Sequence, residues 1–476
     1  MQEDHGRAFC DSITIMNPDQ LFNLDLIRKY DKAGPRYTSY PTAPMFHEGV
    51  DAEAYGRALD RASSAEGPIS IYLHVPFCDT VCYYCGCNKI ATKQRHRAVP
   101  YVEHMLREIE LLAGRLGRAR KVSQLHWGGG TPTFLNGDQF RQLMGALRDH
   151  FDFLPDDEGE YSIEIDPREC DAGMVALLRE LGLNRMSMGV QDFDPAVQKA
   201  VNRIQSKEET LHILTEARRH GFQSINIDLM YGLPLQTIES FDATLDTIID
   251  FSPDRIALFN YAHLPHMFMP QRRIDASQLP SPQQKLAILK HSIDKLLGAG
   301  YCFIGMDHFA KPDDELTIAQ REGKLYRNFQ GYSTHADADL VGIGITAIGY
   351  IDNTFVQNDK TIDGYYAAID QGRFAVFRGY RLSDEDLLRR HVIMRLMCDF
   401  ALDFRAVEQR FGIDFRGHFA EALAELEEMA EDGLLELGDD RITVRTAGRM
   451  LIRNIVMPFD AYLRKKKEGV TYSKVL

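Results

Sequence analysis

No stretch of the 476-residue chain approaches the ~18 consecutive apolar residues that a membrane-spanning helix requires. Basic charge is also in short supply. Lys and Arg number 55 against 69 Asp and Glu, a formal net charge of −14. That deficit argues against broad nucleic-acid binding, which needs a basic face. The opening residues Met1-Gln2-Glu3-Asp4-His5 carry neither a basic leader nor an apolar signal core, and predict a cytoplasmic protein with no membrane association. There is no internal repeat and no low-complexity tract. What is present is ordinary for a globular protein, with 44% hydrophobic and 26% charged residues. The length suits roughly two or three domains.

Cysteine is sparse except in one place. Of the eight, Cys78, Cys82, Cys85 and Cys87 fall within ten consecutive residues, where uniform scatter would place about 0.17. A cytosolic chain of this size has no need of disulfides, so clustered thiols point to metal or redox chemistry. The spacing C-x3-C-x2-C, in Cys78-Asp79-Thr80-Val81-Cys82-Tyr83-Tyr84-Cys85, can hold three irons of a [4Fe–4S] cluster and leave the fourth open to a small molecule. A zinc site is the alternative, with Cys87 as a fourth ligand. Cys85 and Cys87 are, however, only two residues apart, an awkward spacing for sharing one ion with Cys78 and Cys82.

Around this cluster the chain alternates short apolar runs with helical patterns. The runs are Ile69–Val75, Ser123–Trp127, Tyr161–Ile165, Arg185–Met188, Ser224–Asp228 and Arg255–Leu258. Helices are predicted near 101–115, 137–150, 171–181, 207–219 and 238–249. Such alternation predicts an α/β fold with a parallel sheet, doubly wound or a partial (β/α)6 barrel, the barrel being the expectation. A further helix is predicted from Pro280 to about Leu297 and a strand at Tyr301–Gly305, while 306–350 reads as loop-rich. Predicted helices at 384–399, 404–411 and 417–432, followed by a hairpin at Leu434–Leu437 and Arg441–Val444, give a small winged-helix-like C-terminal domain. Its 417–436 region is strongly acidic and the basic run Lys465–Lys467 sits in the tail, which argues against DNA reading.

Polar residues recur just after the strand ends, the edge that carries the active site in both architectures. His126-Trp127-Gly128-Gly129-Gly130-Thr131-Pro132 follows the second strand, and its glycines allow backbone to approach a ligand or simply make a tight turn. Glu164 interrupts an apolar strand, and could bind hydroxyls or an ammonium, or form a structural ion pair. Gln191 offers amide hydrogen bonds, Arg203 can clamp a carboxylate, and Asp228 suits hydroxyls; ordinary pairing is the plainer reading of each alone. Gly342-Ile343-Gly344 lacks the helix and acidic partner of a dinucleotide site.

The C-x3-C-x2-C loop at the end of a first strand resembles that of the radical S-adenosylmethionine (SAM) enzymes. Cys87 and the arm Arg36-Tyr37-Thr38-Ser39-Tyr40-Pro41-Thr42 narrow the resemblance to the oxygen-independent coproporphyrinogen III oxidase family, over nearly the whole chain from about residue 20. The resemblance implies a radical SAM barrel in 56–375, an N-terminal arm in 1–55 packing on it, and a C-terminal lid in 376–476. It implies oxidative decarboxylation of two propionates of coproporphyrinogen III to vinyl groups by a 5′-deoxyadenosyl radical. Cys78, Cys82 and Cys85 would ligate the cluster, with Cys87 unligated beside it. Two SAM molecules are implied: Tyr72, Gly129, Glu164 and Ile348 match residues around one, and Tyr84, Gly130, Thr131, Gln191, Arg203, Asp228 and Ala262 those around the other. Phe329 and Gln330 match a segment needed for activity. Arg36 and Arg327 are candidates for binding the substrate's carboxylates. A flavodoxin- or ferredoxin-like electron donor and a monomeric state complete the expectation. Tyr84 stands where a Phe is common, and Ser333-Thr334-His335-Ala336 departs from the family's Thr-Thr-Gln-Gly. A related group of heme-binding carriers without decarboxylase activity generally lacks both Cys87 and the Tyr-Thr-Ser-Tyr-Pro-Thr arm. An anaerobic heme-opening methyltransferase is a further alternative.

Overall fold

The computed structural model describes residues 18–30, 32–155, 158–335 and 338–464. Cys10, Ala336 and Lys465–Lys467 lie outside the described residues. The chain forms two compact units, one of Phe46–Ile288 with Asp337–Arg381, the other of Met1–Met45, Leu289–Ala336 and Leu382–Leu476.

The first unit is built on six strands: β1 (Ile69–Val75), β2 (Lys121–Gly129), β3 (Glu160–Ile165), β4 (Arg185–Gln191), β5 (Ser224–Tyr231) and β6 (Arg255–Asn260). Each pairs parallel with the next in sequence. Winding therefore never reverses. A doubly wound sheet would contain a reversal of strand order, so the order is that of the expected partial barrel. Covered strands bury both faces, and in β1 all but Tyr72 is buried. The connecting helices are α1 (Ala98–Leu116), α2 (Gly137–His150), α3 (Ala172–Glu180), α4 (Lys207–Arg219) and α5 (Ile238–Phe251). Local chemistry sets their starts: Asn136 with Gln139, Ser206 with Glu209, and Thr237 with Ser240 form reciprocal capping pairs. On α1 the buried face runs Tyr101, Met105, Ile109, Leu112 and Leu116, three or four residues apart. Leu112→Ala there would cost about 2–5 kcal/mol.

Part of the segment read as loop-rich is sheet. β7 (Asp339–Ile343) pairs parallel with the free edge of β1, and β8 (Ile348–Ile351), β9 (Thr354–Asn358) and β10 (Val376–Arg381) continue antiparallel. The glycines that suggested loops are what let these strands meet. A Cβ on Gly342 would lie 2.9 Å from the Ile348 carbonyl oxygen, and one on Gly349 3.0 Å from that of Leu340.

In the second unit, helices Asp384–Asp399 and Phe404–Phe411 fall where expected, whereas the predicted 417–432 helix is two pieces, Phe415–His418 and Ala420–Glu431. Strands Leu435–Leu437 and Arg441–Val444 form the wing, completed by Ala401–Asp403 on the far side of the latter. These elements share one apolar core with the N-terminal Tyr30, Tyr37 and Tyr40. No described helix is long and apolar enough to cross a membrane.

Candidate active site

β1 ends at Val75, and the cysteine loop begins at once. Phe77–Cys78 pairs with Ile90–Ala91 and closes the loop at its base. Inside it the Cys85 amide donates to the Cys82 carbonyl (3.2 Å) and the Cys87 amide to Cys85 Sγ (3.4 Å). Donors surround the sulfurs. The Thr131 hydroxyl donates to Cys78 Sγ (3.6 Å), and Arg203 Nη1 and Arg168 Nη2 reach Cys82 Sγ (3.5 and 3.7 Å). The Cys87 thiol, hydrogen-bonded to Cys85, pulls that thiol down to about 5 and is itself pushed well up. Burial raises Cys78 to about 11. Among the described residues no three His, Cys, Asp or Glu side chains close on a single metal ion. Around a cubane, each thiolate would instead take its own iron.

The glycine segment after β2 is strapped to this loop. The Gly130 amide donates to the Val75 carbonyl and the Thr131 amide to that of Phe77, both at 2.8 Å. Side chains are excluded here. Gly129 has φ +116°, and a Cβ would fall 2.8 Å from the His74 ring; at Gly130 it would fall 2.7 Å from the Phe77 carbonyl oxygen. Glu164 accepts from the Gly129 amide (3.4 Å) and pairs with His126 Nε2 (3.2 Å). Burial opposes its ionisation, but His126 holds the carboxyl below its usual range. Tyr72 stacks on His126 and its hydroxyl meets His74 Nδ1 (3.0 Å).

Farther along the strand ends lie Gln191, Arg203 and Asp228. Gln191 has φ +71°, where the β4–β5 register shifts. Arg203 donates through Nη1 to Asp166 (2.9 Å) and through Nη2 to the Gly189 carbonyl. Asp228 accepts from Asn226 (2.7 Å), and burial beside Glu164 lifts its carboxyl to about 7. One cavity is lined by Cys78, Cys82, Cys85 and Cys87, by Tyr84, by Gly129, Gly130 and Thr131, and by Glu164, Gln191, Arg203 and Asp228.

Tyr72, Ala262 and Ile348 are not among the lining residues. Tyr72 and Ala262 are tied to the site through neighbours: the Ala262 carbonyl accepts from Gln271 Nε2 (3.2 Å), which also donates to the Tyr84 carbonyl (3.0 Å). Ile348 opens β8, opposite Gln357. Phe329 and Gln330 belong to the other unit, as the turn of the hairpin Tyr326–Asn328 and Gly331–Ser333.

Asp166, Arg168 and His74 were not singled out in the sequence. Asp166 accepts from Arg168 Nε (2.9 Å) and Nη2 (2.6 Å) as well as from Arg203, making a buried ion triad beside Cys82. A carboxylate two residues after Glu164, at the end of the same apolar strand, is the signal that could have found it.

These residues fit an iron–sulfur cluster with SAM. Thiols are the usual cluster ligands, and the glycine cradle admits no Cβ. Gln191 Oε1 and Arg203 Nε are buried without a hydrogen-bond partner, an acceptor and a donor ready for a polar ligand.

The comparisons agree with this geometry. The Radical SAM superfamily profile matches residues 72–248, and the HemN C-terminal domain profile residues 382–451. The oxygen-independent coproporphyrinogen III oxidase of Pseudomonas aeruginosa is 53% identical over 442 residues, spanning 93% of this chain and 96% of that protein. That of Salmonella typhimurium is 51% identical over 455 residues, 96% of this chain and 98% of its own. The solved structure of coproporphyrinogen III oxidase from Escherichia coli, described as a radical SAM enzyme, matches with a TM-score of 0.88 and 49% identity, over 93% of this chain and 99% of that one. At that identity and coverage, the chain belongs to the oxygen-independent coproporphyrinogen III oxidase family of radical SAM enzymes.

Proposed function

We propose that this oxidoreductase converts coproporphyrinogen III to protoporphyrinogen IX without oxygen, a step of heme biosynthesis. Each of two propionate side chains loses CO2, one hydrogen atom and one electron to become a vinyl group, and the electron passes to an acceptor. When bound, a [4Fe–4S] cluster and SAM supply one-electron cleavage of SAM and abstraction of hydrogen from the propionate β carbon. The observation that carries the reading is the single cavity in which the Cys78, Cys82 and Cys85 thiols face the glycine cradle and the unpartnered atoms of Gln191 and Arg203.

Cys78, Cys82 and Cys85 hold the cluster, and Arg168 and Arg203 offset negative charge at Cys82. Cys87 lies beside the cluster without ligating it. Gly129, with Glu164, Tyr72 and Ile348, holds one SAM. Gly130, Thr131, Gln191, Arg203, Asp228, Ala262 and Tyr84 hold a second. Phe329 and Gln330 serve turnover from their hairpin, and segment 376–476 serves as a lid. A flavodoxin- or ferredoxin-like protein supplies the reducing electron, and the enzyme works as a cytoplasmic monomer.

The test is turnover of anaerobically reconstituted enzyme with SAM, a reductant, an electron acceptor and coproporphyrinogen III. Protoporphyrinogen IX formed together with 5′-deoxyadenosine supports the proposal. Absence of both refutes it, and heme binding without turnover would favour a carrier.

A further inference from the structure

The second unit buries guanidinium groups in a way a folded protein rarely tolerates without a partner anion. Arg327 sits on the Tyr326–Ser333 hairpin, only 4% exposed. Its Nε and Nη1 have no hydrogen-bond partner, and neither does the buried Nε2 of Gln330 on the same hairpin. All three are donors. Arg327 lies over the Tyr332 ring, 4.8 Å from its centroid, and also hydrogen-bonds that side chain, contacts that orient the guanidinium and still leave Nε and Nη1 unused.

Other cations gather round it. Arg453, 3% exposed, is fixed by donating to the carbonyls of Pro35 (2.9 Å) and Gly34, which holds the N-terminal arm in place. Arg36, next on that arm, pairs with Asp307. The acid felt at Arg453 is Asp307, set against Arg36 and Arg327, and burial with these like charges brings the Arg453 guanidinium down to about 10. Asp460, whose neighbouring cation is Arg389, accepts from the Tyr37 hydroxyl (3.0 Å). At Arg453 the charges of Arg36 and Arg327 thus stand against that of Asp307, which Arg36 already pairs. Arg36 is 42% exposed at its side chain, so the cluster opens to solvent on the arm side.

We infer that Arg327, flanked by Arg36 and Arg453, is a receptor for a propionate carboxylate of the substrate, with Gln330 as a further donor. The inference rests on the substrate reading above and deepens it. A carboxylate supplies the acceptor oxygens that the Arg327 fork lacks, and bidentate pairing matches its geometry. It also offsets the surplus positive charge without requiring Asp307 to move. An overall acidic chain thereby holds a polyanion, using local cations against the global field.

The experiment titrates holoenzyme with coproporphyrin III, the fluorescent oxidised analogue, and with its tetramethyl ester in the same detergent. Wild type, Arg327→Gln, Arg327→Lys and Arg36→Gln are compared, with far-UV circular dichroism and iron content as checks on folding. The expected result is about 10-fold or greater loss of affinity for the acid in Arg327→Gln, as for a lost charge-assisted hydrogen bond. Arg327→Lys should recover part of it, and the ester should bind wild type and variants alike. Arg36→Gln alters an exposed arm residue and decides the matter should Arg327→Gln fail to fold; a weaker, acid-specific loss is expected there. Unchanged acid affinity in the folded Gln variants, or equal losses for acid and ester, would overturn the inference. Wild type that binds no coproporphyrin III would instead remove the substrate reading itself.

Discussion

Asp166→Asn removes the charge that Arg168 and Arg203 share beside Cys82. The carboxylate is 8% exposed and accepts three guanidinium hydrogen bonds, at 2.9 Å from Arg203 and at 2.9 and 2.6 Å from Arg168. Removing one partner of a buried ion pair costs about 3–5 kcal/mol. Asparagine keeps one acceptor oxygen, so the lower end applies, about 3 kcal/mol, or on the order of 100-fold in a local opening equilibrium. Burial works against ionisation of Asp166, but Arg203 and Arg168 hold its carboxyl below the ordinary 3.8. A folded-state value below the unfolded one means the stabilisation is complete above about pH 4 and fades as pH falls through the folded value. Amide hydrogen exchange is the assay. The Arg168 amide, which donates to Asp166 Oδ1 (3.1 Å), should exchange about 100-fold faster in the variant at pH 7. The urea midpoints of the two proteins should converge below pH 4. Equal exchange rates and equal midpoints at pH 7 would refute the reasoning.

Two further predictions concern the same unit. In Gly130→Ala the new Cβ meets backbone, 2.7 Å from the Phe77 oxygen and 2.8 Å from Pro76 carbonyl carbon, so the strap must shift at about 1–3 kcal/mol. Iron retention during gel filtration should fall, and retention equal to wild type would contradict the role given to that contact. Burial depresses His74 to about 4 from its ordinary 6.5. Between those values the unfolded chain holds the extra proton, so His74 lowers stability as pH drops from about 6.5 towards 4, by up to about 3 kcal/mol. His74→Gln should narrow the gap between urea midpoints at pH 7.5 and pH 5; an unchanged gap would count against it.

The parts of the fold written in local pattern were readable from the chain. Apolar runs marked all six barrel strands, and helical patterns marked the helices at 137–150 and 207–219, which the structure starts at the Asn136–Gln139 and Ser206–Glu209 capping pairs. The cysteine loop was readable because the proposed ligands sit within eight residues, Cys78 to Cys85. What distance in sequence hides was not readable. β7 and β8 were missed because Gly342 and Gly349, which permit strand contact, look like glycines that permit turns. The Asp166–Arg203 pair spans 37 residues, and Arg453 reaches back 418 residues to Pro35, so no local spacing announces either. Arg36 and Arg327 were named by reasoning from the substrate's carboxylates. Their company with Arg453 required the packed second unit.

The central claim is that three cysteines hold the cluster and the fourth does not. Iron and sulfide content after anaerobic reconstitution of Cys78→Ala, Cys82→Ala, Cys85→Ala and Cys87→Ala tests it most directly. The account predicts that the first three fail to retain a cluster while Cys87→Ala keeps the full complement of iron. Loss of the cluster from Cys87→Ala as complete as from the others, or full iron in Cys82→Ala, would contradict it.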